Sequence, residues 1–233
     1  MAIAFLDVEA SSLRQNLSFP TEIGFVAHDF SGGFVALIRP DPDWDDWDPE
    51  AEAITALSRE AIELFGEPVS QVADALNDML AGADVLTDCP ESDTRWLRRL
   101  FAAARINPAF LMFEPTPGCA PATVFDADIL INLAEARVKS DFAFTQDLEL
   151  IARRIFVGAG LQLHRALDDA LYLAIGLAAV DLLPSSDDEL IEQEQCLIEL
   201  VKVTKAKIIA GAVARHVHHG GRHADALRQV LER

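Results

Sequence analysis

The first forty residues alternate between apolar runs of strand length and short polar links. Residues 2–9, 22–28 and 33–39 form three such runs, and the segment 29–33 joins the last two. Links this short connect neighbouring antiparallel strands. The pattern therefore predicts an antiparallel meander of three strands.

Helical spacing takes over after residues 40–49, a segment rich in Pro and Asp. Residues 69–80 repeat apolar positions at intervals of three and four, which predicts a helix with one buried face. Short apolar runs at 83–87 and 109–113 predict two more strands, with a helix at 92–104 between them. Strands followed by alternating helices and strands are typical of an α/β domain with a mixed sheet flanked by helices.

The chain beyond residue 121 has a helical pattern in which the charge changes sharply. Residues 187–199 contain six acids and no base, whereas residues 202–233 contain seven bases and two acids. This change favours a division of the chain into two parts. We therefore predict a domain at residues 3–182 and a helical extension at residues 183–233.

The amino-acid composition argues against two classes of protein. A chain of 233 residues that is 51% hydrophobic has too much apolar content for a disordered acidic tail. A formal charge of −19 argues against a protein that coats duplex DNA, because such affinity comes from Lys and Arg. Any nucleic acid that binds here is expected to be short or held locally.

Neither the amino terminus nor the cysteines suggest export. The amino terminus lacks the basic region of a signal peptide, and the longest apolar run, residues 171–180, is about half a membrane span. Cys89, Cys119 and Cys196 are far apart, which argues against a disulfide framework or a Cys-rich zinc site. We expect a cytoplasmic protein with no membrane partner.

Two carboxylates end the first predicted strand. Asp7 and Glu9 are two residues apart and therefore point to the same side of the strand. A cation such as Mg²⁺ or Mn²⁺ offsets the repulsion between paired carboxylates. Among 38 acids such a pair also arises by chance, so solvation of the strand end remains an alternative.

Two later segments carry further candidates. His164 and Asp169 lie at the start of an apolar helix, where an imidazole that accepts a proton and a carboxylate ligand can face one cleft. A capping histidine beside solvated acids is the alternative. Asp93 lies in the first turn of the helix predicted after residue 92, where the helix dipole alone favours an acid.

Taken in order, these segments resemble the DEDD superfamily of 3′-5′ exonucleases, which includes proofreading domains, RNase T and oligoribonuclease on an RNase H-like fold. The segments that carry the resemblance are 5–13 with 20–26, then 53–60, then Asp93 with Trp96 and Leu97, and His164-x-Ala166-x-x-Asp169-Ala170. The last segment has the spacing of the histidine subgroup, which selects Asp169 rather than Asp168. The resemblance covers residues 3–182.

The resemblance implies a role for each matching residue. Two ions of Mg²⁺ or Mn²⁺ would be held by four carboxylates, with a histidine as the general base. The implied metal ligands are Asp7, Glu9, Asp93 and Asp169, and the implied base is His164. Ala10, Ser12 and Leu13 fall where the family contacts the terminal nucleotide.

The second motif departs from the family pattern. Cys89 and Ser92 stand where the family commonly has Asn and an aromatic residue, and Thr55 with Ala56 replaces a His-Gly pair. These departures leave the implied ligands intact. They remove side chains that help to hold the nucleotide.

The resemblance implies a metal-dependent 3′-5′ exonuclease that releases nucleoside 5′-monophosphates from short or single-stranded DNA or RNA, and it weakly favours a homodimer. The alternative is an inactive RNase H-like scaffold that binds a protein partner through its acidic surface and its carboxyl-terminal helices. Retention of all five catalytic-type residues favours the enzyme.

The basic extension supports two further hypotheses. Lys202, Lys205 and Lys207 are expected either to guide the substrate strand or to neutralise the acidic body. The four histidines near the carboxyl terminus have spacings that suit Zn²⁺ or Ni²⁺, but two glycines interrupt their helix, which favours a partly solvated basic surface instead. These histidines are His216, His218, His219 and His223.

Overall fold

The computed structural model describes residues 3–112, 143–182 and 187–233. In this part of the chain five strands form one mixed sheet, in the order β3-β2-β1-β4-β5. Strands β2 and β3 run antiparallel as a meander with β1, whereas β4 and β5 run parallel to β1. The strands are β1 Ile3–Ala10, β2 Pro20–Ala27, β3 Gly33–Leu37, β4 Asp84–Leu86 and β5 Leu111–Met112. The predicted mixed α/β sheet is confirmed.

Eight helices lie in the described residues, and none of them is long and apolar enough to cross a membrane. The helix predicted at 92–104 begins two residues earlier, because Pro90 is well suited to the first helical turn. The helices are α1 Pro49–Thr55, α2 Arg59–Phe65, α3 Val69–Leu80, α4 Pro90–Ala104, α5 Ala143–Gly158, α6 Ala166–Ala179, α7 Asp187–His218 and α8 Ala224–Glu232.

Helix α6 begins directly over β2. A Cβ atom on Gly24 would lie 2.4 Å from the backbone nitrogen of Leu167, so this contact requires glycine. Gly24 pairs with Asp7 on the adjacent antiparallel strand, and paired residues point to the same face of a sheet. The side chain of Asp7 and the start of α6 therefore lie on one face.

Strand β1 extends beyond its neighbour β4. Only Ile3 to Phe5 pair with β4, so the second half of β1 has no strand beside it on that side in the described part of the chain. The loop after β4 and the first turn of α4 occupy this place. This offset brings residues 87–93 next to Asp7.

The carboxyl-terminal helices belong to the same hydrophobic core as the sheet. Helix α7 packs against β3, α5 and α6, and its buried Val201 and Ile209 join the core cluster. Its Thr204 hydroxyl donates to the carbonyl oxygen of Phe30 (3.3 Å). The helical character of the extension is confirmed, whereas the predicted boundary near Leu183 lies outside the described residues.

We expect Gly24→Ala to lower the free energy of unfolding by about 2 kcal/mol or more, since the added methyl group meets the backbone of α6. Gly32→Ala is the matched control, because a Cβ there has nothing within 4 Å. Urea unfolding followed by circular dichroism measures both. Equal stabilities of the two variants would show that α6 does not sit this close to β2.

Candidate active site

Three aspartates lie close together beside the half of β1 that extends beyond β4. Asp7 comes from the strand, Asp88 from the loop after β4 and Asp93 from the first turn of α4, and their carboxylate oxygens lie within 4.8 Å of one another. Asp93 also accepts a hydrogen bond from the Thr87 hydroxyl. The short strand β4 thus delivers two acids to the middle of β1.

A second group lies at the end of β1. One carboxylate oxygen each from Glu9 and Asp169 and one imidazole nitrogen of His164 lie within 4.8 Å of one another. The backbone of His164 has a φ of +63°, and its N–H donates to Asp169 Oδ2 (2.8 Å). Left-handed backbone at a histidine is sparsely populated and is often found at functional sites.

Electrostatics joins the two groups into one site. Burial raises the pKa of Asp7 well above its usual value, and the carboxylates of Asp93, Glu9 and Asp169 raise it further. Burial, with Glu22 and Asp169, raises the pKa of Glu9 to about 8. Burial also raises the pKa of Asp169 to about 7. Without a cation, these carboxylates favour protonation.

Five of the six residues in the two groups are those predicted from the sequence, and the structure brings them together. These five are Asp7, Glu9, Asp93, His164 and Asp169. Asp88 was missed. A signal was present, because Asp88 directly follows β4, and the carboxyl ends of parallel neighbours such as β1 and β4 lie at one edge of a sheet. The catalytic and ligand roles of these residues stay predictions.

Asp168 points away from both groups although it adjoins Asp169. Its side chain is buried, and Oδ2 accepts from Lys205 Nζ (2.8 Å) and from the backbone N–H of Gln162 (2.9 Å). Successive residues of a helix project in different directions, so only one of two adjacent acids faces the site. Lys205 is mostly buried in this pair, which favours the alternative that it neutralises the acidic body; guidance of the substrate strand by the lysines stays a prediction.

A buried ion pair anchors the segment that carries His164. The Arg165 guanidinium donates two hydrogen bonds to Glu22, at 3.0 and 2.7 Å, and a third to the carbonyl oxygen of Val230 (2.9 Å). Glu22 also accepts from the N–H of Ala166. Since Glu22 pairs with Glu9 in the sheet, this arrangement fixes the His164 segment relative to β1 and α8.

The three predicted nucleotide-binding residues follow Glu9. Ala10 ends β1 and is half-buried, and Ser12 is buried with its hydroxyl donating to Asp46 (2.5 Å). Leu13 is 82% exposed, which leaves its side chain open to a planar ligand. Contact of these residues with a nucleotide stays a prediction.

The carboxyl-terminal histidines do not form a metal group. In the described ranges only the two groups above combine three or more His, Cys, Asp or Glu ligands. His216 is buried, and its Nε2 lies 2.9 Å from the carbonyl oxygen of Arg222. The structure therefore favours the predicted basic surface over Zn²⁺ or Ni²⁺.

Comparison with known proteins gives structural matches alone. No family model and no curated protein matches this sequence. The fold matches that of exonuclease I. One exonuclease I structure superposes with a TM-score of 0.51 at 16% identity, covering 82% of this chain and 42% of that one.

Two Escherichia coli exonuclease I complexes match similarly. A complex with a dT13 oligonucleotide has a TM-score of 0.51 at 17% identity, covering 82% of this chain and 43% of that one. A zinc-bound complex with single-stranded DNA has a TM-score of 0.50 at 15% identity, covering 82% and 42%. At these identities the likeness shows a shared fold, and the chain spans less than half the length of these exonuclease I chains.

The raised pKa values of Asp169 and Glu9 predict a pH-dependent stability for the metal-free protein. Between about pH 5 and pH 8 the folded chain holds protons that the unfolded chain has released, so the free energy of unfolding falls as the pH rises. Urea unfolding in EDTA at several pH values measures this slope. Glu9→Gln should flatten it, and an upward slope in the parent protein would contradict the prediction.

Proposed function

We propose that the protein is a metal-dependent 3′-5′ exonuclease of the histidine subgroup of the DEDD superfamily. Its substrates would be short or single-stranded DNA or RNA, and its products nucleoside 5′-monophosphates. The observation that carries the proposal is the pair of adjoining groups, Asp7, Asp88 and Asp93 in one and Glu9, His164 and Asp169 in the other. Residues 3–182 would form the catalytic domain and residues 183–233 a helical extension, of which α7 packs against β3.

The donor set fits two divalent cations. Carboxylate oxygens are the ligands that Mg²⁺ and Mn²⁺ prefer, and burial together with neighbouring carboxylates raises the pKa values of Asp7, Glu9 and Asp169, which a bound cation would offset. We assign Asp7, Glu9, Asp93 and Asp169 as ligands, and Asp88 adds a fifth carboxylate beside them. When bound, two such ions activate water and stabilise charge on the attacking and leaving oxygens.

His164 is the proposed general base. Its side chain is exposed, so a water molecule and a substrate phosphate can reach it, and one imidazole nitrogen lies within 4.8 Å of carboxylate oxygens of Glu9 and Asp169. It would accept a proton from the attacking water during cleavage of the terminal phosphodiester. The Arg165 pair with Glu22 holds the adjoining backbone and so orients the imidazole.

Single strands are the proposed substrate class. The matching exonuclease I structures include complexes with a dT13 oligonucleotide and with single-stranded DNA, which supports a single strand as ligand here. The exposed Leu13 side chain lies three residues after Ala10, at the end of β1, where it can contact the terminal base. Ala10 and Ser12 would shape the same subsite from the backbone of that segment.

One assay tests this function against an inactive scaffold. Purified protein with Mn²⁺ is incubated with 5′-labelled single-stranded DNA and RNA twelve-mers, and the ladders and released nucleotides are analysed. Progressive shortening from the 3′ end with release of 5′-monophosphates supports the proposal. Intact oligomers in Mg²⁺ and in Mn²⁺ would contradict it.

Asp7→Asn and Asp169→Asn should each reduce turnover by several orders of magnitude, because each removes charge from a site that holds two cations. Both variants should be at least as stable as the parent without metal, since they relieve carboxylate repulsion. Asp74→Asn, an exposed position on α3, is the matched control. Turnover is measured on the twelve-mer and stability by thermal unfolding in EDTA.

Asp168→Asn tests the choice between the adjacent aspartates. It should lower thermal stability, because Lys205 loses its charged partner, while turnover per folded molecule falls far less than in Asp169→Asn. Equal losses of turnover in the two variants would contradict the assignment of Asp169.

His164→Ala should reduce kcat by about 10²- to 10⁴-fold while Mn²⁺ still binds, because the imidazole is assigned to the proton and not to the metal. His218→Ala, another exposed histidine, serves as the control. Single-turnover kinetics and calorimetric titration with Mn²⁺ separate the two steps. Unchanged turnover at saturating substrate would remove the general-base role.

A further inference from the structure

A cavity lies at the carboxyl end of α7, and none of the residues that line it belongs to the candidate active site. Its volume is about 420 Å³, within the range of small-molecule sites. Its charged and imidazole lining consists of Arg39, Glu67, Arg222, His216, His219 and His223. A cavity with this lining is unusual in a chain whose net charge is −19.

The positive charge of this cavity is uncompensated. Glu67 already pairs with Arg215, whose Nη2 lies 3.2 Å from the Glu67 carboxylate. Among the described side chains no acid lies within 4.0 Å of the charged nitrogens of Arg39 or Arg222, and both arginines are exposed. The guanidinium fork matches the geometry of phosphate oxygens, so the lining suits a phosphate group.

Two features of the lining are independent of charge. Gln71 Oε1 is buried and has no hydrogen-bond partner, although buried polar atoms are nearly always satisfied. His223 also has a left-handed backbone, with a φ of +64°, and such strain is often found where a chain holds a ligand.

Arg39, which lines the cavity, follows β3 at the same edge of the sheet as the candidate active site. Glu9 pairs with Glu22, which pairs with Leu37, and Arg39 follows two residues later. Two strand spacings amount to roughly 10 Å. A strand whose 3′ end lies at Glu9 therefore has to extend only a short way to place another phosphate at Arg39.

We propose that this cavity binds a phosphate of the nucleic-acid strand, 5′ to the bond that is cut. The identity of the strand as substrate rests on the proposed function, whereas phosphate binding by Arg39 and Arg222 does not. Arg39 and Arg222 would attract a phosphate of the bound strand, whereas the acidic body of the protein repels it. Binding here would act on affinity and not on the chemical step.

Binding without metal tests the cavity separately from catalysis. In EDTA and low salt the carboxylates of the candidate active site repel phosphate, so residual binding reports the cavity. Fluorescence anisotropy with a labelled dT12 is measured for Arg39→Gln/Arg222→Gln and for the control Arg153→Gln/Arg228→Gln. Both double variants remove two exposed arginines, and neither control position lines the cavity.

We expect Kd for dT12 to rise at least tenfold in the cavity variant and to change less than twofold in the control. The dependence of affinity on salt should also become weaker in the cavity variant. Equal affinities of the two variants, with unchanged circular dichroism, would overturn the proposal whether or not the protein is a nuclease.

Titration with thymidine 5′-monophosphate distinguishes a strand from a free nucleotide. Tighter binding of dT12 than of the mononucleotide, lost in the cavity variant, supports the strand. Equal affinity for both ligands would overturn that assignment and identify a mononucleotide site. If exonuclease activity is present, the cavity variant should raise KM for a twelve-mer and leave kcat and the KM for a dinucleotide unchanged.

Discussion

Carboxylates crowded at the carboxyl end of β1 repel one another, and the charge pairs around them offset part of this repulsion. Five acids lie in two adjoining groups, and burial together with their mutual repulsion raises the pKa values of Asp7, Glu9 and Asp169. Such an arrangement lowers the stability of the metal-free chain near neutral pH. In the proposed function, the same charge would hold two divalent cations.

The surrounding scaffold holds the acids in place through a few charge pairs. Glu22 lies next to Glu9 and adds to the repulsion, and Arg165 partly offsets it while tying the His164 segment to the sheet. On the other side of α6, Lys205 pairs with Asp168. Because Lys205 belongs to α7 and Val230 to α8, the carboxyl-terminal helices support the first turn of α6 directly.

Charge is distributed unevenly around the sheet edge. The acidic groups at β1 lie two strands from the cavity lined by Arg39 and Arg222. Without bound cations, a polyanion is repelled by the acidic groups at β1 and attracted by the arginines that line the cavity. In the proposed function, this distribution would let a chain with a net charge of −19 bind a phosphate backbone, with Arg39 and Arg222 supplying the attraction.

The location of several strands and helices, and five of the six residues of the candidate site, could be predicted from the sequence. Apolar spacing located β1 to β3 and α3 to within about two residues, because strand and helix periods are local properties. The order of the motifs selected the pair Asp7 and Glu9, then Asp93, then His164 with Asp169. These residues lie far apart in the chain, and only the resemblance connected them before the structure did.

Only the packing of the helices on the sheet determines which charged side chains lie at the candidate site and which form ion pairs elsewhere. Asp88 lies in the site because β4 ends beside the middle of β1. Asp168 forms an ion pair with Lys205 instead. Arg39 and Arg222, which are 183 positions apart in the sequence, line the same cavity. Charge pairing depends on distance in space, and sequence spacing fixes that distance only within one helix or strand. The position of each acid within its strand or helix can therefore be predicted from the sequence. Its charged partner depends on how α7 and α8 pack on the sheet.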